Sequence, residues 1–372
     1  MLRIVLTGGG TGGHIYPLLA VADELLRVGS DALELSITYI GPRSPYTEMF
    51  RERGIGVRYV ASSKLRRYAS LENIIDAVKL PCSLIQALWH LYWIMPDAVF
   101  SKGGPGAFPT VVAARFYRIP VLIHESDSVP GLTSRASAYF ASRIAISFAP
   151  AASYFPKQKI AFTGNPVRRE LTENIPDRAS AKGRIGFRRE EPVVLILGGS
   201  QGAKRINTFV FDNLEAFTEK YQVFHQVGER NIDEAESVME TVKARAKYRI
   251  AGTLSTTELK DAMAAADVII SRAGSGAIYE IAAFGKPSIL IPILESANNH
   301  QQLNAFEYEK NGAAVVVEEN NLAPNIFFRE LDGILSDSAK MQIMGNQARV
   351  FSKPDAGSVL AGELLRLAGV RG

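Results

Sequence analysis

Short runs of aliphatic and β-branched residues recur along the chain, each followed by a stretch whose apolar residues repeat at helical spacing. Residues 2–6, 37–40, 98–101, 121–124 and 144–147 form such runs in the first half. After a proline- and charge-rich passage at 175–192 the alternation resumes, with runs at 193–197, 223–226, 268–271, 288–291 and 314–317. Unbroken apolar runs predict strands covered on both faces, and strand–helix–strand order predicts parallel sheets. The expected fold is α/β, with two Rossmann-like, doubly wound parallel-sheet domains and a cleft between them. One more helical pattern, at 355–370, closes the chain.

Both halves open alike. Residues 2–6 run into Gly8, Gly9, Gly10, Thr11, Gly12 and Gly13, then into a helical pattern over 15–26. Residues 193–197 run into Gly198, Gly199, Ser200, Gln201, Gly202 and Ala203, then a helical pattern carrying Ile206, Phe209 and Val210. Strand, glycine turn and helix together aim backbone N–H groups and a helix N-terminus at an incoming anion. Ligands of such sheets lie beyond the carboxyl ends of the strands, so both turns are expected to face the cleft. The first turn also satisfies the dinucleotide pattern Gly8-x-Gly10-x-x-Gly13. That pattern needs an acid closing the second strand to hold a ribose. Here residues 35–40 end in Gly41, Pro42 and Arg43, while Glu34 precedes them, which argues against a dinucleotide oxidoreductase.

Candidate chemistry gathers around these turns. His14 stands at the mouth of the first, and an imidazole with a pKa of about 6.5 can take a proton at neutral pH. A helix cap or a core histidine is the plainer alternative. His124, Glu125 and Asp127 end another strand on the same predicted rim. A third glycine site, Ser271-Arg272-Ala273-Gly274-Ser275-Gly276, precedes a helix bearing Glu280. That carboxylate could accept hydrogen bonds from ribose hydroxyls, or simply lie exposed on a capped helix. Asn298, Asn299, Gln301, Gln302 and Asn304 cluster amides that suit sugar hydroxyls, or else mark a polar helix start.

Composition narrows the classes. A chain of 372 residues exceeds one ordinary core and fits two domains. A net charge of +4 is mild for this length and gives no reason to expect nucleic acid. Cys82 is the sole cysteine, so no internal disulfide is possible and a reducing compartment is expected. No stretch reaches the roughly 20 apolar residues of a membrane span, and the first apolar run is too short for a signal peptide; a cytoplasmic protein is expected. No His/Cys/carboxylate set has metal-ligand spacing, so neither a metal nor a cofactor is expected. One segment stands out. Lys64, Arg66 and Arg67 precede an apolar stretch from Leu80 to Met95 that holds both tryptophans, Trp89 and Trp93. Basic residues beside such a helix suit shallow insertion into an anionic bilayer surface; burial against the sheet is the alternative.

Five motifs in order resemble the MurG family of UDP-N-acetylglucosamine transferases over almost the whole chain: residues 7–17 (TGGGTGGHIYP), 164–168 (GNPVR), 198–207 (GGSQGAKRIN), 271–276 with Glu280, and 300–305 (HQQLNA). The resemblance implies a GT-B fold. Its acceptor- and membrane-facing domain would span 1–164 and its donor domain 165–350, with a C-terminal helix over 351–372 packing back on the first domain. It implies inverting transfer of N-acetylglucosamine from UDP-GlcNAc to the C4 hydroxyl of a muramyl-pentapeptide on undecaprenyl diphosphate (lipid I), giving lipid II for peptidoglycan. The enzyme would sit peripherally on the cytoplasmic face of the membrane.

Thr11, Gly12 and Gly13 would then take the acceptor diphosphate, with His14 as general base. Ser200 and Gln201 would meet the nucleotide sugar and Leu254 the uracil. Arg168, Arg272, Gly274, Ser275 and Gly276 would hold the diphosphate, Glu280 the ribose, and Gln301, Gln302 and Asn304 the sugar. The chain departs from the family at three points. His124-Glu125-Ser126-Asp127 stands where the family reads His-Glu-Gln-Asn, Pro105 follows Gly103-Gly104 in place of a tyrosine, and the loop 253–255 lacks the family's aromatic. An ionised Asp127 would repel an acceptor diphosphate, or serve as a second base in rivalry with His14. Three alternatives stay open: a related GT-B enzyme on another lipid acceptor, a nucleotide-sugar epimerase, and a non-catalytic UDP-sugar-binding protein. The epimerase should carry more buried carboxylates and histidines; the intact His14 argues against the binding protein.

Overall fold

The computed structural model describes residues 1–32, 34–62, 71–199, 202–294, 296 and 299–370. Lys64, Arg66, Arg67, Ser200, Gln201 and Asn298 lie outside the described residues. Two compact units divide the chain, Met1–Arg168 with Lys353–Gly372, and Arg169–Ser352.

The first unit holds β1 (Leu2–Thr7), β2 (Leu35–Gly41), β3 (Gly56–Tyr59), β4 (Ala98–Ser101), β5 (Val121–Glu125), β6 (Arg143–Ile146) and β7 (Ile160–Phe162). Its sheet runs β3-β2-β1-β4-β5-β6-β7, with neighbours parallel. The second holds β8 (Val193–Leu197), β9 (Gln222–Gln226), β10 (Tyr248–Ala251), β11 (Val268–Ser271), β12 (Ser288–Leu290) and β13 (Ala314–Val316). Its order is β10-β9-β8-β11-β12-β13, also parallel. In each sheet the winding direction reverses once, between β1 and β4 and between β8 and β11. Those reversals open the crevices where doubly wound sheets bind ligands.

The central strands β4, β5 and β8 are buried along their whole length, which is why their apolar runs are unbroken. Three strands escape the apolar pattern, β3, β7 and β10, and each is the last strand at one edge of its sheet. Half of β3 and most of β7 face solvent, so polar residues interrupt them.

The charge-rich passage 175–192 is no loose connector. It contains the helix Arg178–Arg184, pinned beneath the second sheet through Asp267. Arg178 Nη1 lies 2.5 Å from Asp267 Oδ1 and Lys182 Nζ 2.9 Å from Oδ2, which also accepts the Val193 N–H at 2.8 Å. At the far end of the chain, the helix Ala356–Leu367 buries Leu360, Ala361 and Leu364 in one core cluster with Leu18, Leu19 and Leu25 of the helix Gly12–Ala32. Each buried leucine contributes about 1.5–3 kcal/mol. The last helix thus completes the core on which the first glycine turn stands.

Candidate functional site

In the first unit, register places Thr7 of β1 level with Ser101 of β4. The two following turns therefore leave the sheet side by side, joined by Lys102 N–H to Thr7 O at 2.9 Å and Gly9 N–H to Gly103 O at 3.0 Å. Gly12 and Gly13 form the first turn of the helix that His14 enters, and Thr11 O accepts the His14 and Ile15 N–H groups. The helix starts inside the glycine run, earlier than apolar periodicity predicts, because glycines carry no periodic signal.

His14 Nδ1 lies 2.8 Å from Thr11 Oγ1. In the tautomer where Nδ1–H donates to Thr11, Nε2 keeps its lone pair. Nε2 points at Gly104, where a Cβ would come within 3.1 Å of it and of Gly9 Cα, and where φ is +86°. Only glycine satisfies both demands. Burial first, then the Lys102 ammonium, push the His14 pKa down to about 4, while Asp127 pulls the other way. His14 is therefore neutral at physiological pH and able to accept a proton.

Lys102 is the residue that sequence reasoning missed. It is 3 % exposed, in the cage formed with Glu125 and Asp127 at the ends of β4 and β5. Burial lowers its pKa, and the Glu125 and Asp127 carboxylates oppose that. Glu125 is pushed up by burial, then by Asp127; Lys102, the Ser134 hydroxyl and the Asp127 N–H (3.0 Å from Oε1) hold it down. Lys102 thus interacts electrostatically with both Glu125 and Asp127. A charged residue directly after an unbroken apolar strand and before Gly103-Gly104 was the available signal. His124 is structural: it is buried, its Nε2 lies 2.9 Å from Gly164 O, and burial drives its pKa to about 3.

The second crevice carries different chemistry. Gly274 caps the helix Ser275–Phe284 and has no side chain of its own to bond the first-turn N–H groups. Ser275 and Gly276 are half-buried at that positive end, and Glu280 is half-buried further along. Asn304 is completely buried and donates to Ala273 O at 3.5 Å, so it supports the turn from behind. Gln302 Nε2 donates to Glu318 Oε1 at 2.7 Å, and Gln301 Oε1 accepts the Ile293 N–H at 3.3 Å. Leu254, half-buried, lines a cavity of about 500 Å³ with Phe224, Tyr248 and Ile250.

Two arginines assigned to the donor diphosphate already have partners within the protein. Arg272 pairs with the buried Glu319, which also takes Arg205, and donates to Ile291 O at 3.0 Å. Glu319 thus offsets part of the charge of two guanidiniums and fixes that of Arg272 in place. Arg168 belongs to the first unit, 6 % exposed, with its guanidinium 4.2 Å from the centre of the Tyr16 ring. Among the described residues no His, Cys, Asp and Glu group could hold a metal ion.

Residues 4–146 match the glycosyltransferase family 28 N-terminal domain and residues 193–359 its C-terminal domain. A Bacillus cereus protein named UDP-N-acetylglucosamine–N-acetylmuramyl-(pentapeptide) pyrophosphoryl-undecaprenol N-acetylglucosamine transferase 2 is 38% identical over 334 residues, covering 89% of this chain and 91% of its own. The chain belongs to this transferase family. MurG from Acinetobacter baumannii has the same GT-B fold, with a TM-score of 0.75 at 24% identity over 98% of this chain and 100% of that one. So does the UDP-GlcNAc 2-epimerase of Neisseria meningitidis bound to UDP-GlcNAc, at a TM-score of 0.69 and 14% identity over 98% of this chain and 100% of that one. Fold is thus shared between transferase and epimerase, and sequence kinship favours the transferase.

Proposed function

We propose that this enzyme transfers N-acetylglucosamine from UDP-GlcNAc to the C4 hydroxyl of lipid I, forming lipid II in peptidoglycan synthesis. The observation that carries the mechanism is the contact of His14 Nδ1 with Thr11 Oγ1 at 2.8 Å, which in the Nδ1–H tautomer leaves Nε2 a lone pair beside Gly104. His14 Nε2 takes the proton of the attacking hydroxyl. The hydroxyl oxygen then bonds to the sugar C1 from the face opposite the departing UDP, inverting that centre. Negative charge grows on the leaving diphosphate, and the N-terminus of Ser275–Phe284 stabilises it. Glu280 takes the ribose hydroxyls. Thr11, Gly12 and Gly13 receive the acceptor diphosphate, with Lys102 offsetting Asp127 there. His14 is the base, and Asp127 tunes it.

The acceptor's lipid demands a membrane surface, and the helix Leu71–Ile94 supplies an apolar face. Ala87 and Leu91 point into the core, while Ile85, Trp89, Tyr92 and Trp93 project outward at 56–67% exposure. Such a contiguous aromatic patch suits the interface of a bilayer. Among the described residues no helix is long and apolar enough to cross a membrane.

Radiolabelled UDP-GlcNAc with a short-chain lipid I analogue in detergent tests the reaction. A disaccharide product is expected; saturable UDP-GlcNAc binding without product would overturn the acceptor assignment. Vesicles containing phosphatidylglycerol should change the Trp89 and Trp93 fluorescence at low salt, and an unchanged spectrum would remove the membrane face.

A further inference from the structure

The second unit's glycine turns lie at the carboxyl ends of β8 and β11. The opposite end of the same sheet carries a cavity of about 520 Å³. Pro192, Asp267 and Pro287, the residues just before β8, β11 and β12, line it. Five cationic side chains share that space, Arg178, Lys182, Arg189, Lys286 and Arg349, against the two carboxylates Asp267 and Glu190. Asp267 is already engaged by Arg178, Lys182 and the Val193 N–H. Lys286 Nζ donates to two neutral carbonyls, Ala264 O at 2.8 Å and Ala266 O at 2.7 Å. The cations crowd one another: burial pushes Lys286 down to about 8, Asp267 opposes this, and Arg178, Arg349 and Lys182 reinforce it. Arg189 and Arg349 stand exposed at the mouth, and Leu335 and Met341 give the wall an aliphatic stretch. Sugar transfer at the carboxyl ends makes no use of this excess of positive charge.

We propose that this cavity is a second anion site, taking the phosphate or diphosphate group of an organic phosphate ester. Guanidinium groups grip phosphate oxygens in pairs, and clustered cations raise the local concentration of anions. The volume falls in the range of about 300–1,000 Å³ that holds small organic ligands, and the aliphatic wall suits the ester's carbon portion. An anionic lipid headgroup presents the same phosphate chemistry.

Hydrogen exchange of the full chain, followed at the helix Ser338–Phe351 that forms one wall, tests this. Inorganic pyrophosphate should slow exchange there saturably, with or without saturating UDP. The Arg189→Ala/Arg349→Ala variant should need at least about ten times more; both side chains are exposed, so an unchanged melting temperature is expected. Protection by phosphatidylglycerol vesicles but not by pyrophosphate, lost in the double variant, would keep the site and make a lipid headgroup its source. No protection by either probe, or protection that survives the double substitution unchanged, would overturn the proposal. Exchange at Ser275–Phe284 reports UDP separately, so failure of the donor reading is visible independently.

Discussion

The two crevices open with similar glycine turns yet are built from opposite materials. At the ends of β1, β4 and β5 four ionisable side chains meet, His14, Lys102, Glu125 and Asp127, with Lys102 and Glu125 buried. At the ends of β8 and β11 stands a helix N-terminus, and the arginine closest in sequence is held by Glu319, which it shares with Arg205. The first crevice gathers the ionisable groups that a proton transfer would need, with His14 shifted by burial and neighbouring charge. The second presents the fixed dipole of a helix N-terminus, which interacts with negative charge without a proton.

That division can be broken most directly at His14. His14→Ala should lower kcat by about 10²–10⁴ while leaving UDP affinity unchanged, since a base acts on the barrier. Parallel loss of turnover and UDP binding, measured by steady-state kinetics and calorimetry, would make His14 structural.

Asn304→Ala probes the other side. It removes the contact to Ala273 O that supports the turn from behind, so the KM for UDP-GlcNAc should rise by up to about tenfold, with kcat little changed. The pH dependence should not move; a displaced acid limb would erase the contrast between the crevices.

Lys102→Met should shift the acid limb of kcat/KM. In the native protein His14 loses its basic form only as pH falls toward about 4, below its ordinary value. Lys102 is one cause of that depression, so its removal raises the His14 pKa and moves the limb to higher pH. Burial is the larger cause and persists, which keeps the limb below about 6.5. The smallest effect belongs to Asp127→Asn. That carboxylate raises the His14 pKa, so its loss should move the limb slightly toward acid. A collapse of turnover as deep as that of His14→Ala would make Asp127 the base instead.

Legibility followed locality. The central strands and both glycine turns are readable because burial on both faces and tight turns leave marks within a few residues. The edge strands β3, β7 and β10 were not, since half-solvated strands admit polar residues and lose their apolar signature. The outward face of Trp89 and Trp93 and the inward face of Ala87 and Leu91 share one helix, and composition alone mixed the two. In the site, His14, Ser275 and Gly276 open the helices that follow the predicted strands and Glu280 lies further along the second of these, whereas Arg272, Gln302 and Asn304 are already bonded to other parts of the protein.

By itself the sequence determined the alternation of strand and helix, the doubly wound pair of sheets, and the family, because periodicity and ordered glycine motifs are properties of the chain read in line. Only the tertiary structure decided which charges remain available. Glu319 reaches Arg272 from a distant loop, Arg168 turns back onto Tyr16, and Lys102 settles against Glu125 and Asp127. The strength of a charge inside a protein depends on its burial and on the partner brought beside it. Neither is a property of the residue or of its neighbours in sequence.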